Sequence, residues 1–216
     1  MRGKKSHLID VSLLMDRDHQ TSDILAGPAP ATVLAPCAQA GTDVLADGTV
    51  IRIEPLRRGD RSTVMRLFAR LSPESRLRRF LSPKSSLSER ELALLTDVGR
   101  SEHAAMTAID VRDGSVLGIA RYAEHHGRPG VADTAVAVAD DVQRRGIGTA
   151  LMVRLIACAR SNGVQLLTAT TLWENRPARA LMRTSGFQAK GSSGAEIELA
   201  LELSPVTLRD PDPVAS

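Results

Sequence analysis

The sequence predicts an α/β fold whose central sheet is mixed rather than wholly parallel. Segments with the apolar periodicity of strands occur singly between helices and also as a consecutive group of three, separated only by turn residues. Consecutive strands joined by tight turns pair in antiparallel fashion, whereas strands separated by a helix can pair in parallel. The order strand, helices, three strands, helix, strand, helix, strand therefore describes a mixed sheet flanked by helices.

The first predicted element is a strand, and three helices follow it. Apolar and polar residues alternate over residues 49–54, as in a strand with one buried face. Residue types favoured at helix N-termini then mark three helix starts: Asp60, Ser72 before Pro73, and Ser88 with Glu91 in capping-box spacing. The first of these helices is predicted to end near residue 70 and the third near residue 98.

The second half of the domain contributes the consecutive strands and two more helices. Residues 103–111 and 115–124 are predicted strands, and Asp113-Gly114 between them is a strong hairpin signal. The elements predicted after the hairpin are a strand at 131–139, a helix at 146–161, a strand at 164–172, a helix at 175–184 and a strand at 196–203. Gly186 is placed to end the last helix in a left-handed conformation.

Length and composition indicate one domain with two tails. The chain has 216 residues, of which 43% are hydrophobic, and this is enough for one sizeable core. Residues 1–48 have no sustained period and collect Ala, Pro, Gly, Asp and Thr, so a disordered N-terminal extension is predicted there. The predicted domain spans residues 49–203, and residues 204–216 are predicted to form a C-terminal tail.

Several classes of function are disfavoured by the composition. The formal charge is only +3, and one Trp, one Tyr and three Phe are too few for an aromatic nucleic-acid surface, so no nucleic-acid partner is predicted. The two cysteines form neither a CxxC pair nor a Cys/His cluster, so no metal site is predicted. Because no stretch approaches the roughly 18 apolar residues of a membrane span and no signal-peptide core develops, we expect a cytoplasmic protein without membrane contact.

The loop after the strand at 131–139 has the composition of a phosphate-binding loop. It reads Gln143-Arg144-Arg145-Gly146-Ile147-Gly148-Thr149 and leads into a helix, with both glycines at the helix start. The first N–H groups of a helix have no intrahelical acceptor and carry partial positive charge, and glycine lets a phosphate approach them closely. An ordinary tight turn also fits this spacing, whereas Walker and dinucleotide-binding loops do not, because their further Lys and Gly residues are missing.

With these residues the sequence resembles the GNAT acetyltransferase superfamily. Residues 143–148 match its pattern of a strand, Gln or Arg, two variable residues, Gly, one variable residue, and Gly or Ala. Asn175-Arg176-Pro177-Ala178, followed by Gly186-Phe187, resembles the family's helix that flanks the coenzyme A tail. The resemblance covers about residues 49–203, and residues 71–80 resemble more narrowly the bacterial Pat-like protein-lysine acetyltransferases, without their regulatory domain.

The resemblance implies a GNAT-type fold, in which a mostly antiparallel sheet is splayed at the cofactor cleft. It also implies acetyl-CoA as cosubstrate, with strand backbone groups on the pantetheine, the loop on the pyrophosphate and a helix-start asparagine on the far arm. The corresponding cofactor-binding residues are Val136, Ala137, Val138, Gln143, Arg144, Arg145, Gly146, Ile147, Gly148, Thr149 and Asn175. Core packing of the two valines and helix capping by Asn175 are structural alternatives.

Acyl transfer to an amine needs a base, because a lysine ammonium with a pKa near about 10.4 is protonated at neutral pH. The resemblance indicates Asp133 as this catalytic residue, since the Pat-like group commonly has a glutamate ten residues before its equivalent of Gln143. A solvated aspartate at a strand start is the alternative. Met182 stands where many GNAT enzymes have a tyrosine that protonates the leaving thiolate, and packing on the sheet is favoured over that role for Tyr122.

Two further residue groups are interpreted structurally. His125-His126 lies in a hairpin turn, and an exposed turn is favoured there over a metal ligand or a general base. Cys158 falls on the apolar stripe of the helix after the loop, so a core residue is favoured over a nucleophile.

The acceptor amine is left open by the sequence. A protein lysine is favoured by the resemblance, and an arginine-rich face on the first helices would suit an acidic protein surface, although a solvated basic face explains it equally. The arginines concerned are Arg57, Arg58, Arg61, Arg66, Arg70, Arg76, Arg78 and Arg79. The alternatives are a small amine acceptor and a non-catalytic acyl-CoA-binding domain. Acyl chain length and the choice between monomer and homodimer are not determined.

Overall fold

The computed structural model describes residues 40–203, and within that range one eight-stranded sheet is flanked by five α-helices. The strands are β1 (Gly41–Val44), β2 (Val50–Pro55), β3 (His103–Asp110), β4 (Val116–Glu124), β5 (Val131–Val138), β6 (Leu166–Leu172), β7 (Gln188–Ser193) and β8 (Glu196–Glu202). The helices are α1 (Arg61–Ala69), α2 (Pro73–Phe80), α3 (Glu89–Thr96), α4 (Ile147–Ser161) and α5 (Arg176–Thr184). A short 3-10 turn, Asp140–Val142, precedes the loop that leads into α4.

The sheet is mixed and mostly antiparallel, as predicted. Its strand order is β1-β2-β3-β4-β5-β6-β8-β7, and β3, β4 and β5 form the expected antiparallel meander. The exception is the pair β5 and β6, which runs parallel because α4 connects the two strands. This one parallel pair divides the sheet into an antiparallel group of five strands and one of three.

The domain begins earlier than residue 49, so the predicted boundary is too late by one strand. Strand β1 pairs with β2 from Gly41 opposite Ile53 to Val44 opposite Val50. Four residues at a sheet edge, with alternating exposure, are too short to establish a period in the sequence. The expectation of disorder for the preceding residues, and the predicted tail at 204–216, lie outside the described residues.

The other edge of the sheet is strand β7, which the sequence also did not predict. Every residue of β7 is exposed, so the strand has no apolar face to reveal it. Strand β8 was expected to close the sheet, but it lies between β6 and β7. Both strands that the sequence did not predict, β1 and β7, therefore lie at the edges of the sheet.

The helix starts follow the capping residues found in the sequence. Asp60 accepts a hydrogen bond from the Thr63 backbone N–H at 3.0 Å, and Ser72 accepts one from Ser75 at 3.1 Å. Ser88 and Glu91 form the complete capping box of α3. These side chains satisfy N–H groups that have no partner within the helix, and each such cap contributes about 1 kcal/mol.

Helix α4 packs on β3 and β4 on one face of the sheet, and α1 packs on the other face. Cys158 of α4 is 1% exposed and lies in the main core cluster, as predicted. Tyr122 is fully buried in the same cluster, where its hydroxyl donates to Ser101 O at 2.8 Å and accepts from Asn162 Nδ2 at 2.6 Å. No helix within residues 40–203 is long and apolar enough to cross a membrane.

We predict that Gly118→Ala destabilises the domain by about 1 to 3 kcal/mol. Gly118 faces Val138 across the β4–β5 pair, and a Cβ there would lie 2.8 Å from Ala137 O and 3.0 Å from Leu151 Cδ1. Gly191→Ala is the matched control, because the nearest atom to its added Cβ is Glu198 Oε2 at 3.9 Å. Urea denaturation measures both; equal stabilities would contradict the close approach at Gly118.

Candidate functional site

A cleft of about 670 Å³ opens where β5 and β6 separate. The two strands pair only from Val131 opposite Leu166 to Asp133 opposite Thr168, and the following residues of both strands line the cleft. The loop before α4, helix α5 and residues Ser75, Arg78 and Arg79 of α2 form the remaining walls. A concave site of this size suits a large organic ligand.

Most residues predicted to bind the cofactor line this cleft. They are Val136, Ala137, Val138, Gln143, Arg144, Gly146, Ile147, Gly148, Thr149 and Asn175. They come from three separate segments of the chain, which the divergence of β5 and β6 brings together. The cleft is therefore the position at which the prediction of cofactor contact has to be tested.

The loop before α4 has the backbone of an anion-binding loop. Arg144 adopts φ 63° and Gly146 φ 93°, both in the left-handed region, so the peptide N–H groups turn toward the helix start. No side chain caps α4, whereas α1, α2, α3 and α5 each have a side-chain cap. At Gly148 a Cβ would approach Leu181 Cδ2 at 3.0 Å. The uncapped N–H groups, and the lack of a side chain at Gly146 and Gly148, fit the binding of a pyrophosphate.

Gln143 and Arg145 hold the loop rather than project freely into the cleft. Gln143 Nε2 donates to Val138 O at 3.1 Å and to Asp140 Oδ1 at 3.0 Å, which closes the loop onto the end of β5. Arg145 does not line the cleft; its Nε donates to Asp47 Oδ2 at 2.6 Å, and its contact with the cofactor stays a prediction. This bond is the main reason that the pKa of Asp47 is lowered to about 2.

Asn175 caps helix α5, which is the structural role considered as the alternative to cofactor binding. Its Oδ1 accepts a hydrogen bond from Ala178 N at 3.2 Å, and its Nδ2 donates to Thr171 Oγ1 at 3.2 Å. The side chain is 8% exposed and ties the start of α5 to β6. Asn175 thereby fixes one wall of the cleft, and its contact with a cofactor stays a prediction.

Asp133 occupies the last paired position before β5 and β6 separate. It is half-buried and does not itself line the cleft, although the adjacent Thr134 and the nearby Arg79 of α2 do. Burial raises the pKa of Asp133 to about 6, while the charge of Arg79, the Thr168 hydroxyl and the charge of Arg121 lower it. A carboxylate with this pKa takes up and releases protons near neutral pH.

The two arginines beside Asp133 were not predicted as site residues. Burial and the charge of Arg79 lower the pKa of Arg121 to about 10, and burial lowers the pKa of Arg79. Both guanidinium groups remain cationic at neutral pH. Arg121 could have been found in the sequence, because it places a charge within strand β4 between apolar residues. The position of Arg79 depends on how α2 packs.

The cleft wall has no acidic side chain at residue 182. Met182 lines the cleft and is 5% exposed, so a thioether stands where a phenol was sought. Tyr122 does not replace it, because its ring is enclosed in the core beside α4 and its hydroxyl is bound to Ser101 and Asn162. Burial raises the pKa of Tyr122 to about 12. Packing is the role that the structure gives to Tyr122.

The histidine pair lies in the predicted turn, but its two members differ. His126 is exposed, whereas His125 is half-buried with its Nε2 3.3 Å from Thr168 Oγ1. Among residues 40–203, no three His, Cys, Asp or Glu side chains are grouped so that they could hold a metal ion.

Half of the arginines on the arginine-rich face of the first helices form ion pairs within the domain. Its ion pairs are Arg58–Asp97 at 2.9 Å, Arg70–Asp141 at 2.6 Å, Arg78–Glu74 at 2.5 Å, and Arg61–Glu89. Arg76 stacks on the ring of Phe68, 4.1 Å from its centroid. Of the eight arginines, Arg78 and Arg79 line the cleft, so this face alone is weak support for an acidic partner.

Comparison with known proteins places the same segments in one family. Residues 68–187 match the model of the acetyltransferase (GNAT) family. The chain is 36% identical over 145 residues to the acetyltransferase PA5475 of Pseudomonas aeruginosa, which covers 66% of this chain and 77% of that protein. It is 31% identical over 134 residues to the acetyltransferase Pat of Mycolicibacterium smegmatis, covering 62% of this chain and 40% of that protein.

A solved structure has the same fold. The crystal structure of the GNAT domain of S. lividans PAT is 24% identical and has a TM-score of 0.70, covering 76% of this chain and 97% of that domain. The domain described here therefore corresponds to a complete domain of that fold, while it spans less than half of the mycobacterial relative.

We predict that Gly146→Ala lowers the affinity for acetyl-CoA at least tenfold. The added Cβ disfavours the left-handed backbone at Gly146, so the loop relaxes and its N–H groups lose their common direction. Gly163→Ala is the matched control: Gly163 has φ 81° just after α4 ends, with nothing within 4 Å of an added Cβ. Calorimetric titration and thermal denaturation of both variants separate binding from strain; equal loss of affinity would refute the loop assignment.

Proposed function

Because the chain belongs to the GNAT family and is an acetyl-CoA-dependent N-acetyltransferase, we propose that it acetylates the side-chain amine of a protein lysine, with Asp133 as general base. The observation that carries this proposal is the position of Asp133. Its half-buried carboxylate, with a pKa of about 6, lies at the point where the two strands part to form the cleft.

The residues of the cleft fit the cofactor in two parts. The N–H groups at the start of α4 and the Arg144 guanidinium would hold the pyrophosphate, and the unpaired edge of β5 beyond Asp133 would hold the pantetheine. The cosubstrate supplies an activated acyl carbon in a thioester. The strand edge would also orient that thioester near Thr134 and Ala135, which line the cleft next to Asp133.

Asp133 would prepare the acceptor by removing its proton. Above a pH of about 6 the carboxylate is ionised and can accept a proton from the amine. The neutral nitrogen then attacks the acyl carbon; the C–N bond forms and the C–S bond breaks. The first proton stays on Asp133 until solvent takes it, and the second proton lost by nitrogen goes through water to the leaving thiolate, which departs as the thiol. Since Asp133 does not line the cleft, the proton transfer to Asp133 would pass through one water molecule.

The leaving thiolate needs little assistance. A thiol has a pKa near about 8.5, so its thiolate is a good leaving group at neutral pH. A general acid at the position of Met182 would speed departure of the thiolate, but the reaction does not require one.

A protein acceptor is supported by relatives rather than by charge. The name Pat belongs to a curated relative that is 31% identical to this chain, and residues 71–80 resemble the protein-lysine acetyltransferases of that group. Arg61 and Arg78 on α1 and α2 are paired within the domain with Glu89 and Glu74, so they do not by themselves favour a protein acceptor. The substrate must therefore be identified directly.

We expect Asp133→Asn to reduce kcat/KM at least tenfold while the affinity for acetyl-CoA stays nearly constant, because the amide cannot accept the proton. In the unaltered protein, kcat/KM should fall as the pH decreases through about 6, as the raised pKa of Asp133 requires. Asp113→Asn, in the exposed β3–β4 turn, is the control. Full activity of Asp133→Asn would exclude the base.

Incubation with labelled acetyl-CoA and a cell lysate tests the acceptor class. We expect label in protein, recovered as ε-N-acetyl-lysine after complete proteolysis, and much less label with the Asp133→Asn variant. Label confined to small amines would instead support a small-molecule acetyltransferase. A parallel panel of polyamines, amino acids and aminoglycosides would then identify the amine.

A further inference from the structure

Asp133 lies between one residue of β4 and one residue of β6 in the sheet. Its register partners are Ala123 on β4 and Thr168 on β6, so these three side chains point to the same face of the sheet. The chain leaves β4 two residues after Ala123, where the backbone N–H of His125 donates to Val131 O at 2.8 Å. His125, Thr168 and Asp133 are thereby brought together at the closed end of the cleft.

The hydroxyl of Thr168 lies between the imidazole and the carboxylate. His125 Nε2 is 3.3 Å from Thr168 Oγ1, and Thr168 Oγ1 is 3.3 Å from Asp133 Oδ1. The hydroxyl has one proton to donate and can accept from another group. An Nε2–H tautomer of His125 therefore completes a directed chain in which His125 donates to Thr168 and Thr168 donates to Asp133.

We propose that Thr168 and His125 are positioning residues for the Asp133 carboxylate, acting through the hydrogen-bond chain from imidazole to hydroxyl to carboxylate. The placement of the carboxylate is independent of what the protein acetylates. The catalytic consequence rests on the proposed function, in which Asp133 is the base.

The Thr168 hydroxyl has two possible acceptors, and which of them it uses depends on whether Asp133 is protonated. Thr168 Oγ1 is also 3.3 Å from Ala132 O. An ionised carboxylate forms hydrogen bonds roughly twice as strong as a neutral carbonyl, so the hydroxyl donates to Asp133 when that group is charged. When Asp133 holds a proton, the hydroxyl turns to Ala132. Thr168 thus stabilises the form of Asp133 that is ready to accept a proton.

The charged groups around Asp133 set the background for this effect. Arg79 faces it from α2 and Arg121 from β4, and both favour the ionised carboxylate. Asp97 acts in turn on Arg121, while it pairs with Arg58 at 2.9 Å. Thr168 is the neutral group among these partners, so its hydrogen bond can be removed without changing any charge.

The test is the pKa of Asp133, measured by carbon-13 NMR titration of its carboxyl group in the protein without ligand. Thr168→Val should raise this pKa by about half to one unit, because a hydrogen bond to the charged form is lost. Thr168→Ser keeps the hydroxyl and should restore the original value. Thr107→Val is the matched control, since the hydroxyl of Thr107 is buried in β3 without a hydrogen-bond partner in the described structure.

The part of His125 is tested by a double-mutant cycle. His125→Phe should raise the pKa of Asp133 less than Thr168→Val does, and the double variant should match Thr168→Val alone, because the imidazole acts through the hydroxyl. Additive shifts would show that His125 acts by its own charge and would overturn the chain. An unchanged pKa in Thr168→Val would overturn the whole inference; if that variant does not fold, Thr168→Ala gives the same measurement.

The kinetic profile separates this inference from the proposed function. The acidic limb of kcat/KM should move to higher pH in Thr168→Val by the same amount as the NMR titration, with KM for acetyl-CoA unchanged. A shift in the NMR titration without a shift in the kinetics would retain the positioning chain and reject Asp133 as base. A full loss of activity in Asp133→Asn, with no NMR shift in Thr168→Val, would support Asp133 as base and reject the positioning chain.

Discussion

The site depends on the early end of the parallel pairing between β5 and β6. Three residue pairs join these strands, whereas β5 pairs with β4 and β6 pairs with β8 over seven residue pairs each. Each strand is therefore held firmly on its outer side and can turn away from the other on its inner side. This arrangement opens a cleft in the middle of a sheet without exposing the core, and it leaves one strand edge available to a ligand.

The loop at the mouth of the cleft is held from several sides, although its backbone is strained. A left-handed residue other than glycine costs about 1 kcal/mol or more, and Arg144 is such a residue. Gln143 ties the loop to the end of β5, and Arg145 ties it to Asp47 in the β1–β2 turn. The β1–β2 hairpin thereby holds the loop through Asp47, which is a structural reason for the domain to include residues before 49.

The sequence predicted the elements that have a buried face or a cap, and it missed those that have neither. Asp60, Ser72 and Ser88 start their helices as expected, while the short strand β1 and the exposed strand β7 left no pattern. The glycine loop was located in the sequence because its chemistry is local. Arg79, Thr168 and His125 gather around Asp133 through register and packing, which no spacing within one segment encodes. The pairing of Arg145 with Asp47 likewise joins two distant segments and could not be read from the loop alone.

The burial of Asp133 makes the free energy of unfolding depend on pH. Its folded pKa of about 6 exceeds the unfolded value of 3.8, so the folded protein binds this proton more tightly than the unfolded chain does. The resulting contribution to the free energy of unfolding is full below about pH 4 and is lost as the pH rises through 6, a change of up to about 3 kcal/mol. Most carboxylates in folded proteins act in the opposite sense. A charged Asp133 at neutral pH is thus a cost to the stability of the fold, and the arginines and the hydroxyl beside it reduce that cost.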